Sequence, residues 1–217
     1  QFNLPHCVAV DVTGDVYVTD SFNSRIQVFS PAGTFLRKWG SAGSGNGQFN
    51  FPHGLRVSAG GTLYVADRNN HRVQYFDTAG TFLGQWGANG SGDGQFNAPA
   101  GIGVDPAGNV VVGDLGNNRI QRFTANGTFV DKLGPSTAAG NLALPHGVAF
   151  PSSGRSLYIA DFNNGRVVKF ATPGGWSWSY TPADNVSGPT TVTITATDNE
   201  IPNLSSTTTF TLNMNNV

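Results

Sequence analysis

Through its first 180 residues the chain alternates short apolar runs with clusters of turn-forming residues. Over residues 54–86 the runs are Gly54–Val57, Thr62–Ala66, Arg72–Phe76 and Thr81–Trp86. They are rich in the β-branched and aromatic residues that suit a pleated surface. Between them stand Ser58-Ala59-Gly60-Gly61, Asp67-Arg68-Asn69-Asn70 and Asp77-Thr78-Ala79-Gly80, which read as turns. No run is long enough, or periodic enough at about 3.6 residues, to form a helix. The pattern predicts an all-β fold of short strands joined by tight turns.

The pattern also repeats. Gln1-Phe2-Asn3-Leu4-Pro5-His6 returns as Gln48-Phe49-Asn50-Phe51-Pro52-His53, as Gln95-Phe96-Asn97-Ala98-Pro99-Ala100, and more loosely as Asn141-Leu142-Ala143-Leu144-Pro145-His146. Four further columns stay in phase: Asp20, Asp67, Asp114 and Asp161; Asn23, Asn70, Asn117 and Asn164; Arg25, Arg72, Arg119 and Arg166; Phe29, Phe76, Phe123 and Phe170. The turn glycines Gly33, Gly80, Gly127 and Gly174 make a fifth. Four strands in a repeat of about 40–50 residues define a β-propeller blade, which buries both faces against its neighbours. The blades run about 1–47, 48–94, 95–140 and 141–180. Trp176-Ser177-Trp178-Ser179-Tyr180 falls in register as the outermost strand of the fourth.

These columns carry a family resemblance. Val16-Tyr17-Val18-Thr19-Asp20, Gly101-Ile102-Gly103-Val104-Asp105 and Asn118-Arg119-Ile120-Gln121 resemble the NHL-repeat pattern, and the likeness covers residues 1–180. It is specific for fold and weak for function, because that family spans binding modules and enzymes. The resemblance implies a propeller, usually of six blades, whereas four are present here. Three arrangements follow: a four-bladed ring, an open arc, or part of a larger propeller. In an open arc the end faces are expected to pair between chains, giving a homo-oligomer, because exposed blade faces and strand edges are sticky.

Residues 181–217 break the period and shift to Thr, Ser and Asn. Thr190–Thr197 and Ser206–Met214 read as a β-hairpin. The segment resembles the last hairpin of a bacterial immunoglobulin-like or cadherin-like domain, which points to a secreted or cell-surface bacterial protein. A lone hairpin is marginal in water, so it needs a partner surface, within the chain or on another copy.

Composition narrows the partners. Twelve Lys and Arg stand against 13 Asp and Glu, a formal net charge of -1. That balance argues against nucleic acid as a partner. No stretch approaches the roughly 18 apolar residues of a membrane span, so no membrane insertion is expected. One cysteine, Cys7, excludes an intrachain disulfide.

The chemistry-bearing positions lie on two loops of each blade that should open on one face. His6, His53 and His146 follow the column prolines, and Ala100 interrupts them. Three imidazoles converging on a channel axis form a chemically sensible zinc or copper site. The resemblance sharpens this, since peptidyl-α-hydroxyglycine amidating lyases are NHL-like propellers that hold zinc through histidines of different blades and carry a calcium deeper in the channel. That family's catalytic Tyr and Arg find no match here. On the second loop Asp20, Asn23, Asp67, Asn70, Asp114, Asn117, Asp161 and Asn164 read as structural: each Asp meets the turn that follows and the Arg five residues on. Exposed pairs of that kind are worth about 0–1 kcal/mol each. Asp11 and Asp105 end inner strands, where calcium binding or an ordinary turn role is expected. His71 reads as a surface residue, and Cys7 as a small apolar group between blades. The Gly-rich stretches 40–47 and 87–94 lack the Gly-Lys-Ser/Thr ending of a phosphate loop and read as blade-to-blade connections. Together these features favour an extracellular binding or scaffold propeller for a protein or glycan ligand. The alternative is a metal-dependent lyase or hydrolase built on the three histidines.

Overall fold

A computed structural model describes residues 1–134, 141–151, 156–171, 188–197 and 205–214; for residue 171 and the last two stretches it describes the backbone alone. The first blade is β1 (Pro5–Val10), β2 (Val16–Asp20), β3 (Arg25–Phe29) and β4 (Phe35–Trp39). The second is β5 (Pro52–Val57), β6 (Thr62–Asp67), β7 (Arg72–Asp77) and β8 (Phe82–Trp86). The third is β9 (Pro99–Val104), β10 (Val110–Asp114), β11 (Arg119–Phe123) and β12 (Phe129–Leu133). Each is an antiparallel meander in sequence order. The fourth blade contributes β13 (Pro145–Ala149), β14 (Ser156–Asp161) and β15 (Arg166–Ala171). The strand expected over residues 176–180, and with it Gly174, lies outside the described residues.

Inner strands adjoin one another in series, β1 against β5, β5 against β9 and β9 against β13, so the sheets stand around a common axis as a four-bladed propeller. The side chains between blades explain the columns. Ala9, Tyr17, Ile26 and Val28 of blade one meet Leu55, Val57, Leu63, Val65 and Phe76 of blade two in one dry cluster. Tyr64, Ala66 and Val73 of blade two meet Ile102, Val110, Val112 and Phe123 of blade three in the next. Alternate residues of one strand face opposite neighbours, which is why the inner strands read as continuous apolar runs. Cys7 packs against the first cluster, with its Sγ 3.6 Å from the Leu55 carbonyl oxygen.

The turn between the third and fourth strands carries a glycine for two reasons. Gly80 and Gly127 have φ of 96° and 89°, and each lies under a tryptophan ring of the preceding blade, Trp39 and Trp86. A Cβ at Gly80 would stand 2.7 Å from the Trp39 ring. Glycine alone accepts both the dihedral and the contact.

The chain divides into two compact units, Gln1–Phe170 and Ala171–Val217. In the second, β16 (Gly188–Thr197) and β17 (Ser205–Met214) pair antiparallel from Gly188 opposite Met214 to Thr197 opposite Ser205. Among the described residues no helix is long and apolar enough to cross a membrane.

Candidate functional site at the loop face

The two loops expected to share a face are tied together by the backbone. Phe22 N donates to Asn3 O, Asn69 N to Asn50 O, Gly116 N to Asn97 O and Asn163 N to Ala143 O, all within 2.8–3.1 Å. The second loop is not a simple turn. It is one turn of 3-10 helix, as at Ser21–Asn23 and Arg68–Asn70, closed by a left-handed residue. On the first loop the residue before each column proline is left-handed too: φ is 51° at Leu4, 60° at Phe51, 54° at Ala98 and 51° at Leu144. Such dihedrals cost non-glycine residues about 1–2 kcal/mol each. All four repeats carry one, each directly before its column proline.

The column aspartates are turned into the protein, and all four are fully buried. Asp67 accepts from Asn50 N (2.8 Å), Asn70 Nδ2 (2.9 Å), Arg72 Nε (2.7 Å) and Gln74 Nε2 (3.1 Å). Asp114 repeats this with Asn97 N, Asn117, Arg119 and Gln121. Asp20 and Asp161 hold Asn23 with Arg25, and Asn164 with Arg166. The pairing with Arg five residues on is therefore present, but the expectation of exposed pairs fails: the Arg72 and Arg119 side chains are 8% and 5% exposed. Burial works to raise the carboxyls of Asp20 and Asp161. It is outweighed by the backbone amides of Asn3 and Ala143 and by the Asn and Arg donors, so both lie below the usual carboxylate value. None of these eight side chains forms a free ligand-facing row.

The histidines do come together. The His6 and His53 rings lie 4.4 Å apart between centroids, and His53 and His146 lie 4.7 Å apart. Ala100, where the fourth imidazole would stand, is fully buried and small, which leaves room for His146 to reach His53. Phe51 edges on His6 at 4.9 Å, Phe22 on Phe51 at 5.4 Å, and Phe162 flanks His146 at 5.7 Å. The Arg68 guanidinium lies 5.7 Å from the Phe51 ring centre. Phe22 and Phe162 are 60% and 66% exposed. The mouth of the channel is thus a row of three imidazoles between two exposed phenyl rings.

The imidazoles differ in state. Ser21 Oγ donates its proton to Pro52 O (2.5 Å) and lies 3.1 Å from His6 Nδ1. His6 Nδ1 must then carry the hydrogen, which leaves Nε2 as its basic nitrogen. His53 is 5% exposed, and its Nε2 has no hydrogen-bond partner. Burial first, then the neighbouring charges of His146, His6 and Arg68, push its pKa down to about 3. Burial, Arg68 and His6 lower that of His146 as well.

This has a consequence for acid stability. His53 binds its proton more weakly folded than unfolded, so the unfolded chain takes up the extra proton between the ordinary value of 6.5 and about 3. Stability is fully present above 6.5 and is lost as pH falls. At 1.4 kcal/mol per unit, the loss between pH 6.5 and pH 4 is about 3 kcal/mol. His53→Ala, which the natural Ala100 shows to suit this column, is expected to remove most of that slope. Urea unfolding of both proteins at a series of pH values measures it, and parallel curves would refute it.

As placed, the rings lie beside one another, and among the described residues no three His, Cys, Asp or Glu groups are arranged to hold a metal ion. The imidazoles therefore do not fit zinc without turning. The remaining candidates have local partners. Asp11 accepts from Thr13 N, Thr13 Oγ1, Asp15 N and Tyr17 Oη, and Asp105 from Asn109 N and Nδ2, which are turn contacts. His71 departs from the surface role expected of it: it is half-buried and left-handed, and its Nδ1 accepts from Ala98 N of the next blade at 3.2 Å. Asn118 Oδ1 does the same for Leu144 N at 2.9 Å. The Gly-rich stretch 40–47 is occupied from within: Gly45 N donates to Gln48 Oε1, while Ser44 O and Gly45 O accept from Arg72.

Four sequential antiparallel meanders around an axis, tied by a buried Asp–Arg column and opening on one loop face, define a repeat-built β-propeller. The family model for the NHL repeat matches residues 2–29, 49–76, 96–123 and 142–170. The chain belongs to the NHL-repeat family. Among solved structures it is similar to a streptogramin B lyase, with 17% identity and a TM-score of 0.57 over 78% of this chain and 55% of that one. It is also similar to virginiamycin B lyase from Staphylococcus aureus, with 17% identity and a TM-score of 0.56 over 95% and 69%, and to a Bacteroides thetaiotaomicron protein of unknown function, with 19% identity and a TM-score of 0.62 over 77% and 47%. A catalytically inactive histidine-to-alanine variant of the Staphylococcus aureus enzyme is known with quinupristin. These likenesses show the fold. The chain spans between 47% and 69% of the length of those three proteins.

Proposed function

We propose that the chain is a binding propeller that takes a protein or glycan ligand at the loop-face mouth. The observation that carries this is the row of His6, His53 and His146 between the exposed rings of Phe22 and Phe162. Exposed aromatics beside polar tips on a rigid frame suit a ligand with an apolar or sugar C–H face. The near-neutral charge supports the same reading over nucleic acid. The Thr/Ser-rich tail supports a secreted or cell-surface bacterial setting. The test is a screen of the whole chain against soluble glycans and peptides, followed by Phe22→Ala and Phe162→Ala on any ligand found. Each is expected to weaken binding by about tenfold or more with unchanged melting. Full affinity in both variants would move the ligand site elsewhere.

A second reading, a lyase or hydrolase, is favoured by one feature. His53 is held neutral by its surroundings and keeps a buried, unpartnered Nε2, the form in which an imidazole can ligate a metal ion. Its metal-dependent form requires zinc on His6, His53 and His146, with rings turned from their present placement. It predicts near-stoichiometric zinc, lost in His53→Ala, and turnover of hydroxyglycine-extended peptides; the binding reading predicts neither.

A further inference from the structure

We propose that the loop-face mouth holds the carboxylate of an acidic sugar between Arg68 and the imidazole row, and takes up one proton as it does so. This rests on the binding reading of the same mouth and names the class of its ligand. The groups involved meet one another within the chain's own blades, so the outward faces of blades one and four play no part. Arg68 opens the 3-10 turn of blade two, which stands between blades one and three. The repeat does not require an arginine there, since Ser21, Leu115 and Phe162 hold the same column. Its guanidinium lies over the Phe51 ring and forms no hydrogen bond or ion pair among the described residues.

The groups that face His53 bring no negative charge. β1 brings His6, β13 brings His146, the turn after β6 brings Arg68, and β9 brings Ala100. The four column aspartates are sealed inside, each on its own arginine. His53 is 5% exposed, and its Nε2 is buried without a partner. An unpaired guanidinium thus stands beside an unpaired imidazole nitrogen, and a carboxylate completes both. Its two oxygens fit the guanidinium fork, and it accepts a short hydrogen bond from a protonated imidazole. The charge of Arg68 helps to keep His53 and His146 unprotonated. An anion placed there opposes that effect, so a proton enters the row with it.

The rest of the ligand follows from what surrounds this pair. Phe22 is 60% exposed, and Asn69, Gly116 and Asn163 in its column are exposed as well, so its ring stands clear of the junctions between blades. Such a ring is a platform for the C–H face of a sugar. An extended peptide would bind by main-chain hydrogen bonds. The loop amides of Phe22, Asn69, Gly116 and Asn163 are already given to neighbouring carbonyls, which favours the sugar.

The test is isothermal titration calorimetry of the whole chain at pH 7.5 and 5.5. The probes are a hyaluronan tetrasaccharide and a galacturonate trisaccharide, each beside its carboxyl-reduced form. Carboxyls titrate near about 4, so the sugars stay ionised over this range and the proton counted is the protein's. At least one acidic sugar is expected to bind, about tenfold or more tighter at pH 5.5, because one proton per ligand strengthens binding by up to about tenfold per pH unit. Two buffers of different ionisation enthalpy count that proton. Arg68→Ala should keep its melting temperature and lose the preference for the acidic form over the reduced one. His53→Ala should lose the pH dependence. Acidic sugars that bind no tighter than their reduced forms, that bind equally at both pH values, or that do not bind at all would overturn the proposal. A neutral glycan or a peptide that depends on Phe22 but not on Arg68 would overturn it too, while leaving the binding reading in place.

Discussion

Gly101→Ala is expected to destabilise the propeller severely, by more than about 4 kcal/mol. Where β9 meets β13, a Cβ on Gly101 would overlap the His146 carbonyl oxygen and press on Gly147 Cα at 2.9 Å and Val148 N at 3.1 Å. Gly54 faces the Ala100 carbonyl and Gly101 Cα in the same way, one junction earlier. All of these are backbone atoms held in sheets, so no side chain can swing aside, and relief requires two blades to part along their inner strands. Overpacking in a well-packed core costs about 1–3 kcal/mol. A backbone-to-backbone collision at an interface holding a whole core cluster should exceed about 4 kcal/mol, a large fraction of the 5–15 kcal/mol typical of a domain. Soluble yield and denaturant unfolding measure it. Gly147→Ala is the control: among the described residues its Cβ would meet only Ala160 Cβ, at 3.7 Å, an ordinary contact. Its cost should stay within about 1 kcal/mol. A similar loss in both variants would mean that the glycines serve chain flexibility rather than the close approach of strands.

The column that predicts this also shows where sequence reading works. The period, the strands and the shared face of the two loops were legible because each depends on local pattern: alternation, turn residues, and repetition at fixed spacing. Strand limits such as Pro52–Val57 and Arg72–Asp77 fall within two residues of the expected runs. The hairpin strands likewise appear, at Gly188–Thr197 and Ser205–Met214. What the pattern hid depends on which way side chains turn in three dimensions. The histidines were expected at the mouth, but not that the gap at Ala100 lets His146 lie against His53. Asp67 and Asp114 looked like members of exposed pairs, because polar residues on a turn usually face water. Only the approach of the preceding connection, whose carbonyls Ser44 O, Gly45 O and Gln48 O receive Arg72, seals them in. His71 looked like a surface residue for the same reason. The sequence does mark one of these sites: Cys7 stands in the column of Gly54, Gly101 and Gly147. It marks the junction between blades one and two as chemically distinct. There Thr19 Oγ1 accepts from Cys7 N at 2.9 Å and donates to His53 O at 2.9 Å.

The sealed aspartates lead to the second large effect. Asp67→Ala or Asp114→Ala is expected to cost about 3–5 kcal/mol, the range for breaking a buried pair from one side. In each case a guanidinium stays behind without its counter-charge, together with an orphaned backbone amide at Asn50 or Asn97 and an Asn side chain. Arg72 cannot follow its partner into solvent. Its Nη1 and Nη2 are held by Ser44 O, Gln85 Oε1, Gly45 O and Gln48 O at 2.6–2.9 Å, so the charge remains inside. Lysine cannot replace it, because a single ammonium does not span the fork of acceptors that a guanidinium fills. The four repeats grade this effect internally. Arg119 and Arg72 are 5% and 8% exposed, Arg25 is 21% and Arg166 is 41%. Replacing each aspartate by alanine should therefore hurt most at Asp114 and Asp67, less at Asp20 and least at Asp161, where solvent can rehydrate the abandoned cation. Urea midpoints of the four variants test the order. Equal losses at all four sites would assign the cost to the amide and Asn bonds that every repeat shares rather than to the buried charge.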